Sequence, residues 1–518
     1  MNSCNILWVD DEIDSLKSHI IFLKDKGFSV STASNGYDAI DMLHKKKYDI
    51  IFLDENMPGL SGLDTLSKIK ELTKVPVIMI TKNEQEHIME DAIGSKIADY
   101  LIKPVNPHQI LLSIKKNLEF SKLVTNKTTA DYQREFSAIG SMINQVVTFD
   151  DWVEIYKKIV YWELELDSVS ENHMLEILLA QKKEANNNFF KDVKKYYSQW
   201  LEDGVNDKMV MSHNLFKKYV FPCINNQTPT FVLLIDNLRL DQWKVIHPLL
   251  ESYFSVDENL YCSILPTATQ YARNAIFSGL MPGEIKQKMP DFWLDDNEEG
   301  GKNLYEKELL LNQLKQLSCS QDISFNKVFN LEHGKKMVER LNEFLHKSLN
   351  IIIYNFVDIL SHAKTEMKMI KELANDEKSY RDLTLTWFKN SPLFELLKQL
   401  STKKVNIIIT SDHGTMNVNE ASKVIGEKSI SSNLRYKTGR KLKFDNRDVF
   451  YIDDPQLTML PASNLSSSYI FASPNKYFVY PNNFNHYAHH YINTYQHGGV
   501  SMEEMLVPVI SLKPKHDD

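Results

Sequence analysis

Five side chains near the N-terminus have the chemistry needed to accept a phosphoryl group. Asp10 and Asp11 follow the first predicted strand, Asp54 follows the third, Thr81 ends the fourth and Lys103 ends the fifth. Clustered carboxylates repel one another unless solvent or a hard cation such as Mg²⁺ neutralises them. A phosphoryl-accepting carboxylate needs such a cation and donors for the new oxygens, which the hydroxyl and ammonium groups could supply. The set therefore predicts a metal-assisted phosphoacceptor site.

Aspartate and histidine side chains form a second set in the C-terminal half. Its members are Asp236, Asp358, His362, Asp412, His413 and His497. Asp236, Asp358 and Asp412 follow predicted buried strands. The i, i+4 spacing of Asp358 and His362 would place these two side chains on one face of a helix. Aspartate and histidine without cysteine suit Zn²⁺ or Mn²⁺. Six ligands exceed what one tetrahedral zinc takes, so the set predicts two metals that together clamp a phosphoryl group.

A hydroxyl nucleophile for such a centre is expected in the segment 265–279. Thr267 and Thr269 precede a helical pattern there, where a threonine caps the helix or faces backbone N–H groups that hold an anion. Metal coordination would lower the hydroxyl pKa and yield an alkoxide. Arg273 and Asn274 follow and are predicted to bind the substrate phosphate, the alternative being a packing role.

A basic stretch with an interleaved aromatic residue lies further along the chain. Arg435 and Lys437 flank Tyr436 there, and they are candidates for binding a polyanionic substrate. A solvated charged face is the alternative reading. The histidine-rich stretch 486–490 is predicted to be surface or pocket wall, because the metal set is already filled without it.

These residues need particular elements to position them. Short apolar runs alternate with amphipathic stretches over the first ~120 residues, which predicts a doubly wound sheet of five parallel strands with function at the strand carboxyl ends. The runs lie at 6–9, 28–32, 50–53, 77–80 and 100–102. A helical bundle follows, and then a second α/β pattern whose clearest strands are 230–235, 350–356 and 405–410, with a less certain one at 469–471. The fold class is therefore α/β multidomain.

Composition narrows the class of protein further. The chain has 518 residues, of which 43% are hydrophobic and 25% charged, with a net charge of −8, so a basic nucleic-acid coat protein is disfavoured. Four scattered cysteines without a CxxC pair argue against disulfides and thiolate zinc, and suit a reducing cytoplasm. The absence of a secretory signal and of ~20-residue apolar runs predicts a cytoplasmic protein with no membrane span.

The N-terminal segment 1–122 resembles the receiver domain of response regulators. The resemblance lies in VDDE, LDENMPGLSG, ITK and DYLIKP. It implies that Asp54 is phosphorylated, that Asp10, Asp11 and Asp54 bind Mg²⁺ with the Asn56 carbonyl, and that Thr81 and Lys103 contact the phosphoryl group. It also implies that Tyr100 is a rotameric switch on the fourth-helix to fifth-strand face.

The C-terminal segment 216–518 resembles a PglZ domain of the alkaline phosphatase superfamily. The superfamily order of a strand-end Asp, a Thr nucleophile, DxxxH, DH and a late His is present throughout. The resemblance implies two Zn²⁺ ions, one held by Asp358, His362 and His497. The other would be held by Asp236, Asp412, His413 and Thr269, and the PTxT pattern favours Thr269 over Thr267 as nucleophile.

With a helical linker over 123–215, the whole chain resembles the PorX family of response regulators. This implies a sensor histidine kinase (PorY-like) as partner, an extracytoplasmic-function sigma factor and a link to type IX secretion. We also predict that phosphorylation of Asp54 shifts the receiver to a homodimer through the face formed by its fourth helix, fifth strand and fifth helix. The expected output is a zinc-dependent phosphodiesterase acting on nucleotide-type diesters, cyclic or linear. The alternatives are a partner-binding module with little catalysis, or a phosphomonoesterase.

Overall fold

The computed structural model describes residues 4–73, 75–81, 97–167, 172–206, 208–225, 227–316, 322–426, 433–462, 464 and 466–515. The chain divides into two compact units, Met1–Gln133 and Arg134–Asp518. Within the described residues, no helix is both long and apolar enough to cross a membrane.

The first unit contains one parallel sheet flanked by helices. Its strands are β1 (Asn5–Val9), β2 (Ser29–Ala33), β3 (Ile50–Asp54), β4 (Val77–Thr81) and β5 (Asp99–Ile102), in the order β2-β1-β3-β4-β5. The helices are Lys17–Asp25, Gly36–Lys45 and Gly62–Leu72, and a long helix Pro107–Asn144 begins here. The expectation of five parallel strands is confirmed, and each lies within about one residue of its predicted run.

Burial explains why these strands read clearly from the sequence. Every residue of β3 and β4 is buried, since helices cover both faces of a parallel sheet. Leu7, Val9, Ile51 and Leu53 pack on one side, and Ile6, Trp8, Ile50 and Phe52 pack on the other. Because all five strands point the same way, the acids that follow them meet at one edge.

The second unit begins with long helices, as predicted for the middle of the chain. Helices Phe149–Asp167 and Asn172–Val205 bury an apolar stripe. Within it, Trp152 and Phe189 contact each other edge to face, with ring centroids 5.5 Å apart. Edge-to-face contact at this distance is a favoured aromatic geometry in cores, so the stripe is packing surface.

A six-stranded mixed sheet forms the centre of the second unit. Its order is β7 (Phe254–Cys262), β18 (Leu506–Pro514), β10 (Asn406–Thr410), β6 (Thr230–Ile235), β9 (Leu349–Tyr354) and β8 (Ile323–Val328). The three strands predicted as clearest, β6, β9 and β10, lie together at its centre. The last predicted strand, β15 (Ser468–Ala472), belongs instead to a separate three-stranded sheet with β13 (Tyr436–Gly439) and β14 (Val449–Ile452).

Helices and two small sheets surround this central sheet. The remaining strands are β11 (Met416–Val418) paired with β17 (Thr494–Gln496), and β12 (Glu420–Lys423) paired with β16 (Lys476–Val479). The helices are Leu240–Ile246, Thr269–Ser278, Pro282–Lys288, Glu306–Gln316, Leu331–Glu339, Leu341–Phe344, Phe356–Glu366, Lys368–Leu373, Glu377–Lys389, Pro392–Ser401, Phe484–Tyr491 and Met502–Met505.

Candidate functional site

The first unit gathers its predicted acids and lysine at the carboxyl edge of the sheet. The Lys103 ammonium lies 2.8 Å from Asp10 Oδ2 and 2.8 Å from Asp54 Oδ1. Carboxylate oxygens of Asp10, Asp11 and Asp54 all lie within 4.8 Å of one another. Three carboxylates this close, two of them buried, fit a hard divalent cation such as Mg²⁺.

Burial and the lysine act in opposite directions on Asp54. Burial raises the pKa of Asp54, and the hydrogen bond from Lys103 partly offsets this rise. Burial also lowers the pKa of Lys103, but hydrogen bonds to Asp10 and Asp54 outweigh it, so the Lys103 pKa lies above its ordinary value. The Lys103 ammonium thus neutralises part of the negative charge at this edge.

The other predicted receiver residues are placed as follows. The Thr81 hydroxyl donates to the Glu55 carboxylate, a contact that was not predicted. Asn56 is exposed and Tyr100 is half-buried on β5. Residues 82–96, where the fourth helix of the predicted switch and dimer face would be, lie outside the described residues.

In the second unit, the predicted ligands form two groups. His362 Nε2 lies 3.5 Å and His497 Nε2 lies 3.9 Å from the Asp358 carboxylate. We call Asp358, His362 and His497 the outer group, since His362 is exposed. Asp236, Asp412 and His413 form the inner group, in which all three are buried. In each group the candidate ligand atoms lie within 4.8 Å of one another.

The two groups adjoin. The rings of His413 and His497 stack with centroids 4.3 Å apart. Asn237, which follows β6 in the left-handed conformation (φ +67°), donates from its side chain to Asp358 (3.3 Å) and from its backbone to Asp412 (3.3 Å). Asparagine tolerates this conformation better than most residues. Asn237 therefore ties one group to the other.

Backbone carbonyls determine which nitrogen of each histidine carries the proton. His497 Nδ1 lies 3.1 Å from the Thr267 carbonyl, and His413 Nδ1 lies 3.0 Å from the Gly414 carbonyl. A carbonyl only accepts, so each Nδ1 carries the proton and each Nε2 offers a lone pair, as metal-ligating histidines do. Burial, together with nearby His413, lowers the pKa of His497 to about 3, which keeps the ring neutral.

The inner group is short of positive charge. Arg273 donates to both carboxylates, with its Nε 2.9 Å from Asp412 Oδ2. Burial nevertheless holds the pKa of Asp236 well above its ordinary value. Asp236 Oδ1 is buried and accepts no hydrogen bond from the described residues. An orphaned carboxylate oxygen beside an unprotonated imidazole nitrogen fits a divalent metal, and the oxygen and nitrogen donor set suits zinc or manganese.

The structure separates the two candidate nucleophiles. Thr269 begins the helix Thr269–Ser278, is partly exposed, and has its Oγ 3.1 Å from His413 Nε2. Thr267 is fully buried, and its hydroxyl donates to the Gly499 carbonyl and accepts from the Gly498 N–H, both at 3.0 Å. Thr267 thus holds the turn that follows His497, whereas Thr269 faces the inner group.

Two residues predicted to bind substrate are engaged elsewhere. Arg273 is buried against the Asp236 and Asp412 carboxylates rather than open to the cleft. Asn274 is also buried, and its amide donates to the Lys302 carbonyl (3.1 Å) while Asn303 donates to its oxygen (3.3 Å). Both lie on the helix Thr269–Ser278, in which every residue after Thr269 is buried, so neither side chain reaches the surface.

The basic stretch is not the substrate surface that was predicted for Arg435 and Lys437. Arg435 is 0% exposed, with its Nε 3.1 Å from Glu504 Oε1 and its NH1 2.6 Å from the Ser473 carbonyl. Lys437 is 1% exposed, and burial lowers its pKa to about 7. Both lie on or beside β13, whose first two residues are buried, so the charges face inward. The histidines 486–490 are exposed, as the surface reading required.

Two buried acids of the site were not predicted from the sequence. Glu504 accepts a hydrogen bond from the Gly499 N–H and so holds the turn that follows His497. Glu306 is buried 3.7 Å from Arg273 and 2.7 Å from Lys327. An acid or amide in an apolar run is the only sequence signal for such residues, and it does not reveal the partner.

Comparison with known families covers nearly the whole chain. A family described as the BREX system PglZ alkaline phosphatase-like domain matches residues 215–512. The PorX response regulator linker domain matches residues 122–201, and the response regulator receiver domain matches residues 6–115. Receiver and alkaline phosphatase-like domains generally bind divalent metals, in agreement with the three carboxylate-containing groups described above.

Individual relatives match the receiver segment. The regulatory protein AlgB of Pseudomonas putida is 35% identical over 123 residues, which is 24% of this chain and 28% of AlgB. SrrA of Staphylococcus aureus is 29% identical over 133 residues, covering 26% of this chain and 55% of SrrA. The solved structure of CheY4 from Vibrio cholerae is 27% identical, with 22% of this chain and 99% of that chain covered and a TM-score of 0.22. The chain thus spans about half or less of the length of these curated relatives. By its longest match it belongs to the PglZ family of alkaline phosphatase-like domains, carried here in the PorX-type arrangement behind a receiver and a linker domain.

Proposed function

We propose that this chain is a response regulator in which phosphorylation of Asp54 controls a metal-dependent phosphodiesterase. The observation that carries the proposal is the placement of the Thr269 hydroxyl 3.1 Å from an inner-group imidazole, beside two adjoining ligand groups. A threonine at a helix N-terminus next to two cation sites combines a nucleophile, a place for the anion and charge to stabilise it.

In the receiver, Asp54 would accept the phosphoryl group from a sensor histidine kinase. Mg²⁺ would be held by Asp10, Asp11, Asp54 and the Asn56 carbonyl. Lys103, which bridges Asp10 and Asp54, would turn to a phosphoryl oxygen, and the Thr81 hydroxyl would leave Glu55 to donate to another. The burial of Asp54 supports this role. Because water has little access to the buried carboxylate, nearby protein donors would stabilise the charge on the transferred phosphoryl group.

In the output domain, Thr269 Oγ would form a bond to phosphorus while the bond to the leaving alcohol breaks. The hydroxyl proton would pass through solvent to the leaving alkoxide, which departs as the alcohol. Water would then attack phosphorus, and the bond from phosphorus to Thr269 Oγ would break to regenerate the hydroxyl. Two Zn²⁺ ions, held by the outer and inner groups, would lower the hydroxyl pKa and neutralise the developing charge. Arg273 would keep the inner carboxylates oriented, because its guanidinium already contacts both.

Nucleotide-type diesters, cyclic or linear, are the proposed substrates. Family membership supports this class of substrate. Arg435 and Lys437 no longer support it, because both side chains are buried. Exposed Arg440 and Lys441 remain on the following loop. A role in type IX secretion, a PorY-like kinase and an extracytoplasmic-function sigma factor are proposed on family resemblance alone.

Hydrolysis of bis(4-nitrophenyl) phosphate with added Zn²⁺ tests the output reaction. We expect turnover by the wild type, none by Thr269→Ala, and slower cleavage of the matching monoester. Retained turnover in Thr269→Ala would contradict the nucleophile assignment. A wild type that binds zinc but cleaves no diester would favour the partner-binding alternative.

Acetyl phosphate with Mg²⁺ tests the receiver. We expect an acid-stable, base-labile phosphoryl group on the wild type and none on Asp54→Asn. Light scattering of the same samples tests the homodimer, and an unchanged mass on phosphorylation would contradict it.

A further inference from the structure

We propose that Asn186, on the linker helix Asn172–Val205, is a positioning residue for the metal ligand His497. Asn186 lies in the segment that matches the PorX linker domain, outside the phosphatase-like match that contains every predicted zinc ligand. The inference deepens the proposed function, on which it rests for the identity of the ligand groups.

The Asn186 side chain joins the linker helix to the helix Met502–Met505. Its oxygen accepts from the Met502 backbone N–H at 2.8 Å, and its nitrogen donates to Glu503 Oε2 at 3.0 Å. A backbone donor on one side and a carboxylate on the other determine the orientation of the amide. Asn186 is buried, so water does not compensate for the loss of either bond.

A neighbouring ion pair strengthens the same attachment. Lys182, one helical turn before Asn186, has its ammonium 3.2 Å from Glu503 and 2.8 Å from Glu163 of the preceding linker helix. Neutral and charged contacts thus converge on Glu503 from the linker. The helix Met502–Met505 has only one turn and is held in place by its surroundings.

That short helix in turn holds the backbone beside two metal ligands. Glu504 Oε1 accepts from the Gly499 N–H at 2.9 Å, two residues after His497. The Glu504 carbonyl accepts from the Gly414 N–H at 3.1 Å, directly after His413. At Gly414 the packing is so close that a Cβ atom would lie 1.9 Å from the Glu503 carbonyl oxygen. A displacement of the short helix therefore moves the His497 turn.

Partners outside the ligand shell commonly change metal affinity by about 10–100-fold when they are removed. Asn186 acts through one intervening helix, so we expect a loss of roughly tenfold, at the lower end of that range. The effect should be greatest for the ion at the outer group, which contains His497.

Zinc affinity of the full-length protein tests the proposal. The variant Asn186→Leu removes both hydrogen bonds, and Asn187→Leu is the matched control because Asn187 is the next residue and is exposed. Each protein is stripped of metal and titrated with zinc against a chromophoric chelator at a temperature well below unfolding. We expect one of two zinc ions to bind about tenfold more weakly in Asn186→Leu only, and excess zinc to restore diester cleavage.

Unchanged affinity for both ions in a folded Asn186→Leu protein would overturn the proposal, as would an equal loss in the control. Asn186→Asp supplies a second, isosteric test, since it keeps the acceptor for Met502 and repels Glu503. Weakened zinc binding is expected there too, and unaltered binding would again refute the inference. The readout does not require catalysis, so a wild type that binds two zinc ions without cleaving diesters would refute the proposed function alone.

Discussion

Replacing Arg435 by methionine distinguishes a structural role from the substrate-binding role that the basic stretch suggested. Arg435 and Glu504 form an ion pair in which both side chains are 0% exposed. Methionine fills much of the space of arginine but leaves the Glu504 carboxylate buried without its counter-charge. The Ser473 and Lys476 carbonyls lose their donor as well.

The expected loss is large compared with the stability of a domain. Breaking a buried ion pair by removing one partner costs about 3–5 kcal/mol, against a total of about 5–15 kcal/mol for a folded protein. Solvent does not weaken this ion pair, since neither side chain is exposed. Urea unfolding, followed by tryptophan fluorescence, measures the change as a shift of the transition midpoint.

A surface pair in the same unit supplies the control. Arg447 lies 2.7 Å from Asp445 with 88% of its side chain exposed, and Arg447→Met should cost no more than about 1 kcal/mol. The double variant Arg435→Met/Glu504→Leu should lose less than the sum of its single changes, because it removes both charges. A loss below about 1 kcal/mol in Arg435→Met, together with a raised KM for a diester, would refute the structural role.

Three further outcomes are expected. Thr269→Val should abolish diester cleavage without moving the unfolding midpoint. Thr267→Val should instead lower the stability by about 1–3 kcal/mol, because two buried hydrogen bonds are lost. If urea unfolding and turnover showed the reverse pattern, the roles of the two threonines would have to be exchanged. Lys437→Met should raise stability. The pKa of Lys437 is about 7 in the folded protein, whereas the ordinary lysine pKa is 10.5. Between these pH values the unfolded chain binds the proton more tightly, so the wild type is most stable above pH 10.5 and loses stability as the pH falls towards 7. The gain should accordingly be larger at pH 7 than at pH 10 in urea unfolding, and equal gains would contradict a buried neutral amine. Lys103→Met should tighten Mg²⁺ binding by roughly tenfold, because Asp10 and Asp54 lose their competing ammonium; weaker binding in titration calorimetry would count against it.

The parts of the site that the sequence predicted are those set by strand ends. Asp54, Asp236 and Thr81 directly end or follow fully buried parallel strands, and such strands are short apolar runs that are easy to recognise. The parallel direction of the strands then brings Asp54 and Thr81 to one edge of the first sheet and, separately, Asp236 and Asp412 to one edge of the second. The i, i+4 spacing likewise predicted that Asp358 and His362 share a helix, which the structure places at Phe356–Glu366.

The parts that the sequence did not reveal depend on long-range pairing. Strand β18 contains Pro508 and Pro514 and pairs antiparallel with β7 and β10, so neither its composition nor the parallel pattern indicated it. From the sequence alone, Arg435 is expected to be a solvated charge, because its partner Glu504 lies 69 residues away. A local pattern carries no information on which distant acid neutralises a buried arginine.

The glycine of the DHG tripeptide has a consequence for how this domain can vary. Any side chain at position 414 would collide with the Glu503 carbonyl, and backbone atoms cannot rotate away as a flexible side chain can. In the tripeptide, two predicted ligands are followed by a glycine whose close contact is with a helix nearly ninety residues further along the chain. Transfer of the predicted ligand groups into another scaffold would therefore require that distant helical turn as well as the ligands.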